Sequence, residues 1–368
     1  MADSDRELSA GAPRPVVSAP ELPYRPRMPR GTTPGIAVIG CGGIVPFHLR
    51  AYRRAGFRVV ALCDVERTRA EAMRDEYFPE AIVYTDYRDA IGHAGAGVVD
   101  AATHPVHRVP IIEAALNAGR HVLSQKPFCA DLEVGQRLVQ LAEARGLCLA
   151  VNQNGRWAPH LSYLRQAVGA GLLGELTSLH AVIHWDHNWT ADTAFNDMRH
   201  LLLYDFAIHW FDFARCCFGA RRARRVYASI ARASHQRAAP PLLGQVNIDY
   251  DGGQAALLFN GAAAVGPCDE THLAGTRGAA VARGRDLGHQ TVTLHLPEGD
   301  ASVALEGTWF EDGFLGTMAE LMCAIEESRT PENSARHNLA SLELCFAAVR
   351  SADTGESVCP GEATRAPE

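Results

Sequence analysis

Residues 35–152 alternate between short apolar runs and segments in which apolar residues recur at helical spacing. Each run has the length of a buried strand and is bounded by glycine, proline or polar residues. Strands are predicted at 35–39, 58–64, 81–85, 97–102, 121–125 and 147–151, and helices at 47–54, 110–118 and 131–145. Strands that alternate with helices form a parallel sheet covered on both faces, so the pattern predicts a doubly wound, Rossmann-type α/β domain.

The pattern changes after residue 152. Further strands are predicted at 176–185, 226–233, 245–250, 255–260, 291–296 and 302–307, and helices at 315–327 and 335–352. Gly and Pro turns separate several of these strands, which favours an antiparallel or mixed sheet. An α/β half followed by an α+β half predicts that the cofactor binds the first domain and the substrate the second. The active site would then lie at the carboxyl ends of the parallel strands.

These patterns divide the chain into four segments. Residues 1–33 are rich in Pro, Arg, Ala and Ser without periodicity, which predicts a disordered tail or an extended arm that crosses a neighbouring subunit. Residues 34–153 are the predicted Rossmann dinucleotide-binding domain, and residues 154–355 the substrate-binding and oligomerisation domain. Residues 356–368 are predicted as a flexible C-terminal tail.

A glycine-rich turn joins the first predicted strand to the first helix. Gly40 allows the tight turn, and Gly42 lets the backbone approach a pyrophosphate at the positive end of the following helix. The third position of this fingerprint is normally Gly or Ala and is Val45 here, which would push helix and strand apart unless Gly43 relieves the crowding. The alternative is an ordinary strand–turn–helix without a ligand.

An acidic residue ends the second predicted strand. Asp64 lies 24 residues after Gly40, where a carboxylate meets the adenosine ribose hydroxyls of a bound dinucleotide. A carboxylate there would repel a 2′-phosphate, so NAD is the predicted cofactor and NADP the less favoured one. Arg67 and Arg69 follow closely and would soften that preference.

Lys126 follows a predicted parallel strand, which places it at the sheet edge where the cofactor would lie. Pro127 fixes the backbone just after it. Burial and a neighbouring cationic nicotinamide would both favour the neutral amine, which can then take part in proton transfer. The alternative is a solvated loop lysine, and position alone does not separate the two.

Residues 201–218 are mostly apolar and are predicted as a helix. Asp205 and His209 are four residues apart and would share one face, where the carboxylate raises the basicity of the imidazole and holds its tautomer. Asp212 falls on the same side. Polar groups on a buried helix need partners, so the alternative is a satisfied buried pair without chemistry.

Composition excludes some classes of function. The net charge of −7 gives no nucleic-acid surface, and the basic run at 221–225 indicates a solvated loop, with an anion contact as the distant alternative. No apolar run reaches the roughly 18 residues of a membrane span, and the N-terminus lacks the apolar core of a signal peptide. Ten cysteines without a CxxC pair are typical of reduced cysteine in a cytoplasmic protein.

Together these motifs resemble the Gfo/Idh/MocA oxidoreductases, named for glucose–fructose oxidoreductase, inositol dehydrogenase and a rhizopine-catabolism protein. The resemblance covers about residues 35–355 and rests on motifs in the family's order: the glycine turn, Asp64, Thr103-His104-Pro105-Val106-His107, Lys126-Pro127 and Asp205-x-x-x-His209. It implies a C-terminal α+β domain with a large open, mainly antiparallel sheet that often packs against another subunit, hence a homodimer or homotetramer. It also implies an NAD(P)-linked reaction on a carbohydrate or cyclitol.

The resemblance also implies roles for single residues. Lys126 is similar to the catalytic lysine of the family's Glu-Lys-Pro motif, with Gln125 in place of the glutamate. His209 is similar to the general base and Asp205 to the acid that polarises it. Pro105 and His107 fall in the loop over the cofactor. Cofactor contacts are implied at Gly40, Gly42, Gly43, Ile44, Asp64, Thr103, His104, Pro105, His107, Gln125 and Lys126. Substrate contacts are implied at Lys126, Asn152, Gln153, Arg156, Trp157, Asp205 and His209.

Residues 185–199 are less similar to the family. Trp185 and Trp189 offer flat faces for sugar rings and are predicted as substrate contacts, although loop packing explains each of them as well. A metal site at His184, Asp186 and His187 lacks a complete ligand set. Neighbouring residues on a strand also face opposite ways, so no metal is predicted.

The predicted function is an NAD(P)-dependent dehydrogenase of a secondary hydroxyl in a sugar, cyclitol or glycoside. His209, oriented by Asp205, would remove the hydroxyl proton, and Lys126 would hydrogen-bond the same oxygen. One alternative is an NAD-dependent glycosidase that oxidises its substrate transiently, eliminates the aglycone and returns the hydride. Another is a non-catalytic sensor that binds the dinucleotide.

Overall fold

A parallel sheet forms the centre of the first half of the molecule. The computed structural model describes residues 13–286 and 288–366. The strands are β1 (Gly35–Ile39), β2 (Val59–Cys63), β3 (Ile82–Tyr84), β4 (Ala96–Ala101), β5 (His121–Ser124) and β6 (Leu149–Val151). They pair in the order β3-β2-β1-β4-β5-β6, and every pairing is parallel. The predicted Rossmann fold is confirmed, and the strand order reverses between β1 and β4, where this fold binds its ligands.

Helices connect these strands. They are α1 (Val45–Ala55), α2 (Arg67–Tyr77), α3 (Tyr87–Gly92), α4 (Pro105–Asn117) and α5 (Leu132–Ala144). The predicted start of the fourth helix at Pro110 was wrong, because α4 begins at Pro105 and contains Pro110. Proline is favoured in the first turn, and a proline met later in a helical pattern is easily mistaken for a second start.

The second half contains a larger sheet. Its strands are β7 (Leu176–His184), β8 (Ala223–Ala231), β9 (Leu243–Tyr250), β10 (Gly253–Asn260), β11 (Cys268–Gly275), β12 (Ala279–Asp286), β13 (His289–Leu296) and β14 (Gly299–Val303). Their order is β14-β13-β12-β11-β7-β10-β9-β8, and only β7 and β10 pair in parallel. The mainly antiparallel sheet implied by the family resemblance is confirmed.

Two strands of this sheet, β11 and β12, were not predicted from the sequence. The inward positions of β11 include Asp269 and Thr271, so burial alternates along the strand while hydrophobicity does not. β12 is rich in Ala, Gly and Arg, which have low strand propensity. Both strands are therefore specified by pairing within the sheet and not by a local pattern.

The remaining helices lie between the two sheets or on one face of the second. They are two short 3₁₀ turns after β7 (Asn188–Asp192, Ala194–Asp197), one after β6 (Asn154–Trp157), α6 (Pro159–Gly169), a π-helical turn (Leu202–Phe206), α7 (Ile208–Phe218), α8 (Trp309–Glu326) and α9 (Ala335–Thr354). Phe314 and Met318 of α8 pack into the apolar cluster of β1 and α1, together with Val38 and Leu49. α8 thus joins the two halves, although it follows the second sheet in sequence.

The described part of the N-terminal segment, residues 13–33, lies extended along the second domain of its own chain. The Tyr163 hydroxyl donates to the carbonyl of Pro20 at 2.7 Å, and the Gly31 N–H donates to the Glu326 carboxylate at 2.6 Å. Residues 1–12 lie outside the described residues. Residues 13–33 therefore form an arm on their own chain, and the predicted arm across a neighbouring subunit stays a prediction.

The C-terminal residues, for which a flexible tail was predicted from residue 356, also follow the surface of the chain. Val358 and Val226 exchange backbone hydrogen bonds of 2.8 and 2.9 Å. The Ala366 N–H donates to the carbonyl of Ala130 at 2.8 Å. Residues 356–366 are thus tied to β8 and to the loop before α5, whereas residues 367–368 lie outside the described part.

Candidate active site

Lys126 lies directly after β5, at the carboxyl edge of the parallel sheet, and only 16% of its side chain is exposed. Its Nζ is 2.9 Å from Asp205 Oδ2 and donates to the Asp205 carbonyl oxygen at 2.9 Å. The Asp205 side chain is 10% exposed. The structure therefore pairs Lys126 with a second-domain carboxylate in a nearly closed site, unlike the alternative of a solvated loop lysine.

The sequence itself singles out this lysine in a second way. Lys126 is the only lysine of the chain, and the other 34 of its 35 Lys and Arg residues are arginine. Arginine serves every other cationic position, and it cannot give up its proton in a protein. The single position that keeps a titratable side-chain amine is the one at the carboxyl edge of the parallel sheet that bonds Asp205.

Asp205 does not pair with His209 as the four-residue spacing predicted. Among the described residues no hydrogen bond joins the two side chains, and Asp205 instead bonds Lys126. The reason is local: Asp205 lies in the π-helical turn, and Ala207 is a turn residue before α7 begins. A π turn inserts an extra residue, so the geometry that brings positions i and i+4 together in an α-helix is lost.

His209 lies at the start of α7, half-buried, with its Nδ1 without a hydrogen-bond partner. Its ring packs edge-on against Trp309 with centroids 5.5 Å apart. A methyl group on Gly155 would lie 3.4 Å from Nδ1, so glycine leaves room for the imidazole there. Burial and the charge of Lys126 lower the pKa of His209 to about 3, against a smaller opposite effect of Asp212. The imidazole is therefore neutral near pH 7, as a general base requires.

An aromatic group borders the same site on the side of β7. His187 stacks on Phe206 with ring centroids 3.8 Å apart, and Trp185 packs edge-on against His187. Burial lowers the pKa of His187 to about 4, opposed mainly by the charge of Asp205. Trp189 is 52% exposed and contacts Phe206. The structure thus groups both predicted tryptophans around His187, which stacks on the residue after Asp205 and which the sequence suggested only as an incomplete metal ligand.

The polar residues after β6 separate into two groups. Asn152 and Gln153 are fully buried, and the Gln153 amide donates to the carbonyl of Ile208 at 2.9 Å, next to His209. Arg156 instead forms a two-pronged ion pair with Asp212, with both N···O distances 2.6 Å. This pairing holds the pKa of Asp212 below its ordinary value despite burial. Arg156 was expected to bind substrate, but the structure uses its guanidinium to compensate a buried carboxylate.

Trp157, also expected to bind substrate, packs against α8. A methyl group on Gly316 would lie 2.2 Å from Trp157 Cγ, so the indole lies directly on the helix backbone. Its other edge lines a groove beneath the N-terminal arm. Asp212 and Trp157 therefore serve the packing of the second domain, and the sequence had no means of separating them from their neighbours.

The glycine-rich turn has the geometry that a dinucleotide requires. Gly40 has φ +95°, and a Cβ there would lie 2.9 Å from the Ala102 carbonyl, so only glycine fits. Cβ atoms on Gly42 and Gly43 would meet nothing within 4 Å. No side chain caps α1 at Ile44; the Val45 N–H donates to the Gly42 carbonyl at 3.0 Å and the Phe47 N–H to the Ile44 carbonyl at 3.1 Å, so the open surface of this helix start is that of Gly42 and Gly43. These features fit a pyrophosphate bound at the helix N-terminus.

Val45, the irregular third position of the fingerprint, is fully buried. It packs in the apolar cluster that also contains Ile36, Val38 and Met318. The larger side chain is therefore accommodated by the contact between α1 and α8, away from the open surface of Gly42 and Gly43.

Asp64, just after β2, holds the glycine turn in place. Its Oδ2 accepts from the Cys41 N–H at 2.8 Å, and its Oδ1 accepts from the Glu66 N–H at 2.9 Å. Arg67 and Arg69 are paired with nearby carboxylates on the surface. The carboxylate is thus positioned beside the turn, where a ribose would lie, while the two arginines are directed to other partners.

The segment over the cofactor site differs from the predicted loop. Pro105 and His107 belong to the first turn of α4, because helix formation begins directly after the Thr103–His104 bend. His104 and His107 are exposed at this rim, and burial with the Arg108 charge lowers the pKa of His104. The rim residues named from the sequence are brought to one edge of the cleft.

Arg108 is a positioning residue that sequence reasoning missed. Its guanidinium is fully buried and donates to the carbonyls of Gln125, Thr103 and Pro127, the first two at 2.5 Å. Burial lowers its pKa to about 10. It therefore clamps the segment that carries Lys126. A single Arg in a helical pattern is normally a solvated residue, so nothing in the sequence signalled this contact.

Other classes of site receive no support from the described residues. In residues 13–286 and 288–366, no three His, Cys, Asp or Glu side chains are grouped to bind a metal ion. Over the same ranges, no helix has the length and apolar character needed to cross a bilayer. The ten cysteines, all within the described residues, are unpaired.

Comparison with known proteins gives the family. A model described as the oxidoreductase family with an NAD-binding Rossmann fold matches residues 35–153, and one for the Gfo/Idh/MocA C-terminal domain matches residues 161–281. D-apiose dehydrogenase of Paraburkholderia graminis is 28% identical over 88% of each chain. Inositol 2-dehydrogenase of Salmonella paratyphi B is 28% identical over 48% of this chain and 52% of its own.

The fold also matches a solved oxidoreductase from Agrobacterium radiobacter, in complex with NAD⁺, L-tartaric acid and magnesium. The TM-score is 0.80 at 21% identity, over 90% of this chain and 99% of that one. At this identity the likeness concerns the fold. From the two domain matches, which together span most of the chain, the protein belongs to the Gfo/Idh/MocA family of NAD-binding oxidoreductases.

Proposed function

We propose that this protein is an NAD-dependent dehydrogenase that oxidises a secondary hydroxyl of a sugar, cyclitol or glycoside. The observation that carries the proposal is the convergence of the Lys126–Asp205 pair with the neutral, unpartnered His209 at the carboxyl edge of the parallel sheet. The relatives named for D-apiose and inositol support this substrate class.

Each of these side chains has a separate task. His209 takes the proton from the substrate hydroxyl, since its imidazole is neutral and its ring is only half-buried. Lys126 donates a hydrogen bond to the same oxygen, stabilises the negative charge that develops there and assists the proton transfer. Asp205 holds the Lys126 amine, a role that replaces its predicted contact with His209. Bound nicotinamide supplies the hydride acceptor for the carbinol carbon.

The aromatic border selects the substrate class in this proposal. Trp185 and Trp189 both pack against His187, and Trp189 also contacts Phe206, the residue after Asp205. Sugar and cyclitol rings present C–H faces to aromatic rings and hydroxyls to polar groups at their edges. Such a border suits a polyhydroxylated ring better than a long apolar chain.

A panel of sugars, cyclitols and glycosides with NAD and NADP tests the proposal. Reduced nicotinamide and released aglycone are followed together in each reaction. Net formation of reduced cofactor from a sugar or cyclitol is the expected result. Aglycone release without net reduction would show the transient-oxidation glycosidase instead. NAD binding by calorimetry with neither signal across the panel would show a non-catalytic sensor and contradict the proposal.

Cofactor preference should depend on Asp64. We expect Asp64→Ser to lower the ratio of NADP to NAD dissociation constants by at least about tenfold, because removal of the carboxylate ends its repulsion of a 2′-phosphate. Calorimetric titration with each dinucleotide measures this ratio. Glu80→Gln, which removes an exposed surface charge further from the turn, is the matched control and should leave it unchanged. An unaltered ratio in Asp64→Ser would remove Asp64 from cofactor selection.

We further propose that the outward face of the second sheet joins subunits. Helices α7 and α9 cover the inner face, whereas Tyr227 and Leu258 point outward and are 45% and 38% exposed. Light scattering should show a dimer or tetramer for the wild type, and Leu258→Arg should shift it toward monomer. Val265→Arg, at a residue 90% exposed in a loop, is the control. A wild-type monomer at all concentrations would contradict this proposal.

A further inference from the structure

A fully buried polar network lies behind Lys126. His48 of α1 and Asp100 of β4 are both 0% exposed, and His48 Nδ1 is 2.7 Å from Asp100 Oδ2. On its other side, His48 Nε2 is 3.1 Å from Gln125 Nε2 and 3.2 Å from Asn152 Nδ2. The network joins the first helix to the ends of three strands, and one of its members, Gln125, precedes Lys126.

The direction of every hydrogen bond in this network follows from one contact. The Lys126 backbone N–H donates to the side chain of Gln125 at 2.7 Å, and only the amide oxygen can accept it. The amide nitrogen of Gln125 therefore faces His48 Nε2 and must donate to it. His48 Nε2 then carries a lone pair, and the ring proton lies on Nδ1, from which it is donated to Asp100.

The other groups that face His48 agree with this assignment. The Tyr52 hydroxyl donates to the same Asp100 oxygen at 2.6 Å. Burial and Asp100 raise the pKa of Tyr52 well above its ordinary range, so it remains a donor. Phe314 covers the imidazole, with ring centroids 4.6 Å apart. The buried charges of Arg108 and, when ionised, Cys41 act on Asp100 from outside the network.

We propose that Gln125 is a positioning residue, which anchors the Lys126 backbone and at the same time fixes buried His48 as the neutral imidazole protonated on Nδ1. The consequence for Lys126 rests on the proposed function, whereas the state of His48 does not. Together with Arg108, which binds the carbonyls on either side of Lys126, Gln125 holds the lysine segment through its backbone.

Glutamine and glutamate are not equivalent at this position. A glutamate would still accept from the Lys126 N–H, but its second oxygen would face His48 Nε2 and require a proton there. His48 would then become an imidazolium between two carboxylates. Gln125 thus keeps the network at one buried negative charge, on Asp100, without a second charged pair beneath the catalytic lysine.

Because the chain has a single lysine, ¹⁵N-lysine labelling gives one backbone amide signal, that of Lys126. Gln125→Met preserves the shape of the side chain but accepts no hydrogen bond. We expect this amide to exchange with solvent at least about tenfold faster in Gln125→Met, and at the wild-type rate in Gln125→Glu. Equal exchange in wild type and Gln125→Met would overturn the anchoring role.

Histidine-ring ¹⁵N spectra test the state of His48 without substrate. Tyr52→Phe identifies the His48 signals, since among the described residues its hydroxyl bonds this imidazole and Asp100 alone. At neutral pH we expect a protonated Nδ1 and an unprotonated Nε2 in the wild type, and two protonated ring nitrogens in Gln125→Glu. A wild-type His48 that carries a proton on Nε2, or an unchanged pattern in Gln125→Glu, would overturn the proposal.

Steady-state kinetics distinguishes a Gln125 that positions Lys126 from one that only stabilises the fold. Gln125→Met should lower kcat about 10- to 100-fold with little change in KM for NAD, because a shifted lysine costs rate and not cofactor affinity. Gln125→Glu should recover kcat at those pH values where its carboxylate accepts the hydrogen bond of the Lys126 N–H. The dependence of kcat on pH should therefore differ from that of the wild type. A Gln125→Met variant with wild-type kcat would contradict the catalytic consequence. Absence of turnover in the wild type would contradict the proposed function and leave the two spectroscopic results standing.

Discussion

Replacing Lys126 with methionine is expected to lower kcat by roughly 10³-fold, within the usual range for loss of a group that acts in proton transfer and charge stabilisation. Methionine keeps the length and the apolar contacts of the side chain. Because methionine has neither the charge nor the N–H groups of lysine, the carboxylate and the carbonyl oxygen of Asp205 lose their contacts with residue 126. Steady-state kinetics on the best compound of the panel measures the effect, and NAD affinity by calorimetry should stay within about threefold.

Lys126→Arg tests the proton of the lysine separately from its positive charge. Arginine keeps the positive charge and the ion pair with Asp205, but it does not release a proton near neutral pH. We expect Lys126→Arg to remain at least about 10²-fold below the wild type in kcat. Recovery of activity in Lys126→Arg would reduce the role of Lys126 to a fixed charge, and full activity in Lys126→Met would remove it from catalysis.

His209→Asn should lower kcat about 10²- to 10⁴-fold, since it removes the group that takes the substrate proton. Asparagine retains a polar side chain of smaller volume beside Gly155 and Trp309. The control is His337→Asn, which alters an exposed histidine on α9. Comparable losses in the two variants, or a His209→Asn enzyme within a few-fold of the wild type, would contradict the assignment of the base.

His209 makes the stability of the folded protein depend on pH, and its lowered pKa sets the direction of that dependence. Burial and Lys126 lower the pKa of His209 to about 3 from an ordinary value of 6.5, so the folded protein disfavours the charged ring. Below pH 6.5 the unfolded chain gains a proton that the folded chain does not, and this group therefore destabilises the fold progressively as pH falls from 6.5 toward 3. His209→Asn should reduce the acid-induced loss of stability, measured by thermal unfolding at pH 5 and pH 8. An identical pH dependence in both proteins would contradict the neutral state of His209.

The strands of the first domain could be predicted because a short stretch of sequence is enough to recognise each of them. An apolar run such as Val59–Cys63 is buried in the parallel sheet. Its composition alone indicates a strand, without reference to the neighbouring strands with which it pairs. β11 was missed because Asp269 and Thr271 occupy its inward positions. Its existence depends on pairing with β7 and β12, which no window of sequence contains.

In the candidate site, too, some features could be recognised from local motifs, whereas others depend on tertiary contacts. Lys126 and His209 could be named from their motifs, but the partner of Asp205 could not, because a π-helical turn changes which residues share a face. Arg156 has the polarity of a substrate contact and is committed to Asp212, more than 50 residues away along the chain. The clamp by Arg108 is likewise tertiary, since it depends on α4 lying beside β5.

Isotope transfer tests the central claim most directly. Wild-type protein is incubated with NAD and a panel compound that carries deuterium on the carbinol carbon, and the recovered nicotinamide is analysed by mass spectrometry. The account predicts NADH that contains the deuterium, formed by the wild type and nearly abolished in Lys126→Met. NADH without deuterium, or no reduced cofactor from any compound of the panel by a protein that binds NAD, would contradict it.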